Sequence, residues 1–131
     1  MKILACDVGM KRVGLAMSDD LGMIASPFGV VERTEAINEI VETVIREEVD
    51  KIVVGVPYLA SGKLGSQADD VWSFIEDLKD RVEVPIDYEN EHLTSAEAAE
   101  RLKLKKKKTK GDVDSMAATI ILESYLKKGK E

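Results

Sequence analysis

Lys51-Ile52-Val53-Val54-Gly55-Val56 is a short run that stays apolar from Ile52 onward, without the polar alternation of a half-exposed strand. A strand reads this way when helices cover both of its faces, as in a parallel sheet. The run is therefore expected to be central in an α/β sheet, and its flanks supply the partners. Upstream, strand signals at residues 2 to 8, 13 to 18 and 23 to 31 are separated by Gly9-Met10-Lys11-Arg12 and Asp19-Asp20-Leu21-Gly22. Such short Gly- or Asp-containing gaps read as hairpin connections, so these three strands form an antiparallel meander. From Thr34 the period becomes helical, with Ala36, Ile37, Ile40, Val41, Val44 and Ile45 on one stripe, Thr34 as N-cap and an end near Glu48. Downstream, a loop from Pro57 to Gly65 precedes a capping pattern at Ser66 and Asp69 and a stripe of Ala68, Val71, Trp72, Ile75 and Leu78, which puts Trp72 in the core.

Val84-Pro85-Ile86-Asp87-Tyr88 reads as a further strand, with Pro85 near its start where a missing N–H is tolerated, and its C-terminal end leads to Glu91. Thr94 and Glu97 form a second capping box for a short helix through about Leu102. A last helix from about Asp112 buries Val113, Met116, Ala117, Ile120 and Ile121 and closes on Lys127, Lys128 and Gly129. The expected fold is α/β, with a five-stranded mixed sheet of three antiparallel strands then two parallel ones, flanked by helices.

At 131 residues and 44% apolar, the chain fits one domain over residues 1–131, able to bury about two-thirds of the surface its unfolded form exposes. No stretch approaches the roughly 20 apolar residues of a membrane span, and no signal-peptide pattern opens the chain, so the expected location is cytoplasmic. The single cysteine, Cys6, lies on the first expected strand and reads as a small buried apolar residue. The net charge of −6 disfavours a protein that coats nucleic acid nonspecifically. Residues 101–110 nevertheless carry seven cations and no acid, so the rest of the chain stands at −13. That basic patch can draw a polyanion to one edge, or it is simply a solvated lysine loop.

Three acids stand at awkward places in hydrophobic elements: Asp7 on the first strand, Glu91 after the last strand, and Asp114 at the opening of the last helix. Strand alternation puts Asp7 on the face of Ile3 and Ala5, where an ionised carboxylate is costly unless paired or metal-bound. A turn-capping role at Gly9 is the alternative. Asp7 and Glu91 both fall at strand C-termini, where ligands collect in open α/β sheets. If the first and last strands lie near one another and run parallel, the two acids share a rim and Asp114 can be brought across to them. Two carboxylates about 4 Å apart repel by roughly 4 kcal/mol at an effective dielectric near 20, so the cluster calls for cations or altered protonation. Oxygen ligands favour Mg2+ or Mn2+, and no Cys/His pattern supports zinc.

Four ordered motifs carry a family resemblance. They are Asp7-Val8-Gly9 with Arg12-Val13-Gly14-Leu15-Ala16; Val54-Gly55-Val56-Pro57 with Gly62; Glu91-His92-Leu93-Thr94-Ser95-Ala96-Glu97-Ala98; and Val113-Asp114-Ser115-Met116-Ala117-Ala118 with Ile120-Ile121-Leu122-Glu123-Ser124-Tyr125. Together they resemble the YqgF/RuvX family across almost the whole chain. The resemblance implies a ribonuclease H-like fold, a relation to Holliday junction resolvases, and a nuclease of the 16S rRNA precursor acting in ribosome biogenesis. It also implies a catalytic and metal-binding set of Asp7, Glu91 and Asp114. Two departures stand out. Asn90-Glu91-His92 replaces the usual Asp-Glu-Arg, and Asp112 stands where a basic residue is usual. His92 is a candidate phosphate contact or proton carrier, or a structural hydrogen-bonder. Asp112 joins the site only as a non-helical cap, since two helical residues lie about 200° apart.

The expected chemistry is phosphodiester hydrolysis with one or two divalent ions, Arg12, Lys63, His92 and Lys105, Lys106, Lys107 and Lys108 being candidate contacts to substrate. Gly9 and Gly14 either permit close backbone approach or serve as turn and hairpin residues. Expected partners are nucleic acid, with pre-16S rRNA ahead of branched DNA, and the ribosome or its precursors. Asp7-Val8-Gly9 also resembles the phosphate loop of actin-like ATPases and sugar kinases, which need two lobes where this chain has room for one. A non-catalytic RNA-binding assembly factor is the other rival. Its base-stacking platforms would be few, with Tyr58 and Tyr88 the plausible exposed aromatics.

Overall fold

The structure, a computed structural model, describes residues 1–57, 66–91 and 110–128. The expected loop up to Gly65, the short helix of residues 94–102, most of the lysine run, Tyr58 and Gly129 lie outside these residues. Five strands, β1 (Ile3–Val8), β2 (Arg12–Ser18), β3 (Ala25–Glu32), β4 (Lys51–Pro57) and β5 (Ile86–Glu91), form one sheet of order β3-β2-β1-β4-β5. β1, β2 and β3 are the antiparallel meander, while β4 pairs parallel to β1 and β5 parallel to β4. This is the mixed α/β sheet of the ribonuclease H-like fold. β4 is interior as its apolar run requires, although β1 is the middle strand.

Helices α1 (Ala36–Arg46) and α2 (Ser66–Lys79) contribute to the core on one sheet face and α3 (Lys110–Lys128) to the core on the other. Leu4, Cys6 and Val8 alternate toward α1 and α2, with Ile52, Val54 and Val56 beside them. Ile3, Ala5, Ala16 and Val53 face α3 and meet Ala118, Ile121 and Leu122. A strand with both faces covered has no polar side to show, which explains the unbroken hydrophobicity of β4. Trp72 is half-buried at the edge of the first core and packs edge-on against the exposed ring of Tyr88, with centroids 4.9 Å apart.

Four local expectations need correction. Thr34 is not an N-cap: a 3₁₀ turn (Arg33–Glu35) precedes α1, and neither start has a side-chain cap. The turn is set by the β2–β3 ladder, where the Arg33 N–H donates to the Lys11 carbonyl at 2.9 Å. Ile45 is 74% exposed, so the buried stripe is narrower than its period implied. β5 starts two residues later than expected, because the Ile52 N–H bonds the Pro85 carbonyl and the ladder begins at Ile52↔Ile86. α3 begins at Lys110, so Asp112 is helical, not a non-helical cap, and stands about 200° around the axis from Asp114. Among the described residues no helix is long and apolar enough to cross a membrane.

Candidate active site

Asp7 is half-buried near the end of β1, and its partner across the antiparallel ladder is Gly14. Directly opposed residues on such a pair project to the same face, with Cα atoms about 5 Å apart. A Cβ added to Gly14 would lie 2.0 Å from the Asp114 carbonyl oxygen and 2.4 Å from its carbon. Gly14 is thus the point at which α3 lands on the sheet, and only hydrogen in place of a side chain allows that approach. Asp7 and Asp114, 107 positions apart by their numbers, are brought to one spot on the α3 face.

Glu91 ends β5 in register with Pro57, and β1, β4 and β5 are parallel, so its strand end shares the rim with that of β1. Its side chain lies outside the described part. Among the described residues no three His, Cys, Asp or Glu gather within metal-holding range. Lys63, His92 and Lys105 to Lys108 also lie outside the described residues.

Among the described residues, Arg12 is the cation paired with Asp114. It opens β2 on the same strand parity as Gly14, and its Nε donates to Asp114 Oδ2 at 2.8 Å. The two side chains are 33% and 26% exposed, so solvent screens the pair only in part. The turn that carries Arg12 is tied down from three sides. Gly9 N–H donates to the Arg12 carbonyl at 2.9 Å, Arg33 N–H donates to Lys11, and Arg33 Nη1 donates to the Gly9 carbonyl at 2.8 Å. The same guanidinium grips both oxygens of Asp70 on α2, at 2.9 and 3.0 Å, and lies over the Phe74 ring. This fork holds the Asp70 carboxyl below its ordinary range.

Two further features were not anticipated. Glu89 is buried on β5, accepts the Asn90 N–H at 2.9 Å and pairs with Lys128 of α3. Lys51 Nζ donates to the Tyr125 hydroxyl at 3.0 Å, and that hydroxyl donates to Asp87 Oδ2 at 2.7 Å. The alternation Asp87, Glu89, Glu91 was a readable signal, since i, i+2 and i+4 acids share a strand face. Arg33 had no such signal. Tyr88, the one described aromatic proposed for stacking, has the opposite parity and packs on Trp72. Cys6 faces the α1/α2 core, where burial above all, and then the Asp7 charge, push its thiol up to about 12.

The RuvX family model, described as "Holliday junction resolvase", matches residues 1–128. A "Putative pre-16S rRNA nuclease" of Gloeothece citriformis is 42% identical over 129 residues, covering 94% of this chain and 85% of its own. One of the same name from Desulforudis audaxviator is 37% identical over 136 residues, covering 99% and 96%. Among solved structures, RuvC of T. thermophilus in complex with a Holliday junction substrate superposes with a TM-score of 0.63 at 14% identity, over 99% of this chain and 96% of that one. The fowlpox virus Holliday junction resolvase gives 0.58 at 16% identity, over 98% and 99%. At such identities the two structures share the fold. The match over residues 1–128, with relatives at 42% and 37% identity, makes this chain a member of the YqgF/RuvX family.

Proposed function

We propose that the protein is a divalent-metal-dependent nuclease that hydrolyses phosphodiester bonds in the 5′-end maturation of pre-16S rRNA. The observation that carries this reading is the convergence of Asp7 and Asp114 across Gly14, at the rim where β5 delivers Glu91, in a chain of this family. The donor set suits the ion: carboxylate oxygens are hard ligands of the kind Mg2+ and Mn2+ take. A cation, the Arg12 guanidinium, already rests on Asp114, so positive charge is favoured at that carboxylate. When bound, Mg2+ or Mn2+ supplies Lewis-acid activation of water and stabilisation of the leaving oxygen. Asp7, Glu91 and Asp114 would hold it.

The chain's own work is to place these oxygens and to grip substrate. Asp7 is immobilised by a middle strand paired on both sides, and Asp114 by the landing of α3 on Gly14. Arg12, Lys63, His92 and the lysines at 105 to 108 contact phosphates beside the cut, each exposed contact adding to the salt dependence of binding. A ribosomal RNA substrate places the protein in the cytoplasm, with ribosomal precursors as partners. The curated relatives named as pre-16S rRNA nucleases favour RNA. The family's own description favours the second reading, cleavage of four-way DNA junctions.

End-labelled 16S precursor RNA and a four-way junction, each incubated with protein and Mg2+ or Mn2+, separate these readings. Cleavage of the RNA with the junction intact is expected. Junction cleavage with intact RNA transfers the activity to recombination, and RNA binding without turnover of either substrate selects the non-catalytic assembly factor.

A further inference from the structure

We propose that Arg12 is the resident counter-ion of the acidic site, holding Asp114 in the metal-free protein and competing with divalent cations for that carboxylate. The inference rests on the metal-site reading above. Its geometric basis is independent: Arg12 Nε lies 2.8 Å from Asp114 Oδ2, in a contact that joins the start of β2 to the start of α3. Gly14, two residues along the same strand face, holds the Asp114 backbone, so the carboxylate swings about a fixed point. The Arg12 backbone is equally fixed, its carbonyl accepting the Gly9 N–H while Arg33 braces both Gly9 and Lys11. Neither backbone can drift away from the other, so the oxygen is freed by rotation of one of the two side chains.

Competition follows from charge and lone pairs. A carboxylate carries two oxygens, and the one that accepts the Arg12 Nε–H must give up or share that bond to enter a metal shell. The guanidinium is a fixed cation, so only another cation displaces it from the carboxylate. The released guanidinium then stands at the rim beside the acids, where a phosphate oxygen is the next partner of matching geometry. Arg12 thereby has two successive partners, Asp114 before metal loading and the nucleic-acid backbone after it.

The test is Mn2+ binding to the full chain without substrate, followed by the signal of free Mn2+ in electron paramagnetic resonance and by calorimetry, for wild type, Arg12→Gln, Asp114→Asn and the double variant. Arg12→Gln is expected to bind Mn2+ about 10-fold more tightly, equivalent to about 1.4 kcal/mol. It should also melt at a lower temperature without metal and regain the difference when Mn2+ is added. Asp114→Asn should weaken binding, and in that background Arg12→Gln should change the affinity little, since the cycle isolates the pairwise coupling. Arg12→Lys, which keeps the charge without the fork, controls for misfolding and should fall between wild type and Arg12→Gln. Equal affinities in wild type and Arg12→Gln overturn the counter-ion role while leaving the acidic site standing. A full gain retained in the Asp114→Asn background also overturns it, because the effect then acts through general charge. Absence of Mn2+ binding in every variant overturns the metal-site reading and this inference with it.

Discussion

Gly14 and Asp114 are in backbone contact: the position a Gly14 Cβ would occupy is 2.0 Å from the Asp114 carbonyl oxygen. The obstacle is a helix backbone and has no rotamer to adopt, so Gly14→Ala must lift α3 or bend β2. Overpacking of this kind costs about 1–3 kcal/mol when side chains can yield, and about 3 kcal/mol is expected here. Urea unfolding followed by the fluorescence of Trp72, the single tryptophan, measures it. A loss under about 0.5 kcal/mol, the range of an ordinary surface change, would show that α3 does not land on Gly14.

Arg33 and Asp70 give a pH-dependent prediction. The Asp70 carboxyl is held below its usual value of 3.8, first by the hydrogen bond from Arg33 and also by that residue's charge. A lowered folded value stabilises the protein above the unfolded value and is lost as pH falls through the folded one. Asp70→Asn should therefore be less stable than wild type at pH 6, and the gap should narrow as pH falls from about 5 toward the lowered folded value. With the Asp70 side chain 37% exposed, the gap at pH 6 is expected below about 1 kcal/mol. Asp19, also held low by N–H donors from Ile24 and Met23, is common to both proteins, so the difference between them reports Asp70. A gap constant from pH 6 to 3 would remove the charge from this account.

Glu89 and Lys128 tie the edge strand to the end of α3. Lys128→Met strands a buried carboxylate, which is expected to cost about 1–3 kcal/mol, the range for an unsatisfied buried polar group. Glu89→Gln in that background should recover part of the loss, because its amide oxygen still accepts the Asn90 N–H. Chemical denaturation of wild type, Lys128→Met and the double variant tests the pairing. No recovery in the double variant would show that a stranded Glu89 charge is not the source of the loss.

Cys6 should behave as a clock for global opening. Its thiol is fully buried and shifted far from thiolate formation, so a disulfide reagent at pH 8 should label native protein only at the rate of unfolding. Labelling within seconds in the absence of denaturant would contradict the packing described for β1.

Much of this architecture is legible in the sequence. The apolar run at residues 52–56 announced a strand covered on both faces, and the gaps at Gly9–Arg12 and Asp19–Gly22 announced hairpins, the second turning through Gly22 at a φ of +69°. Asp7 was readable because alternation alone put it with Ile3 and Ala5, the face on which α3 packs. The helix start at Thr34 was misread because its tertiary cause, a bond from Arg33 to Lys11, leaves no local pattern. Glu89 escaped notice because the sequence around it is polar, and its burial comes with a partner 39 residues away on α3. The Arg12–Asp114 pair spans 102 positions, and its geometry appears only once Gly14 has admitted the helix.

The most direct test of the proposed hydrolytic site is the rate at which Asp7→Asn cleaves pre-16S RNA at saturating Mg2+, with folding verified by circular dichroism. Loss of outer-shell partners alone lowers metal affinity or activity 10- to 100-fold, so loss of a ligand oxygen is predicted to lower the rate by at least about 100-fold. A correctly folded Asp7→Asn protein that cuts as fast as wild type would contradict the account.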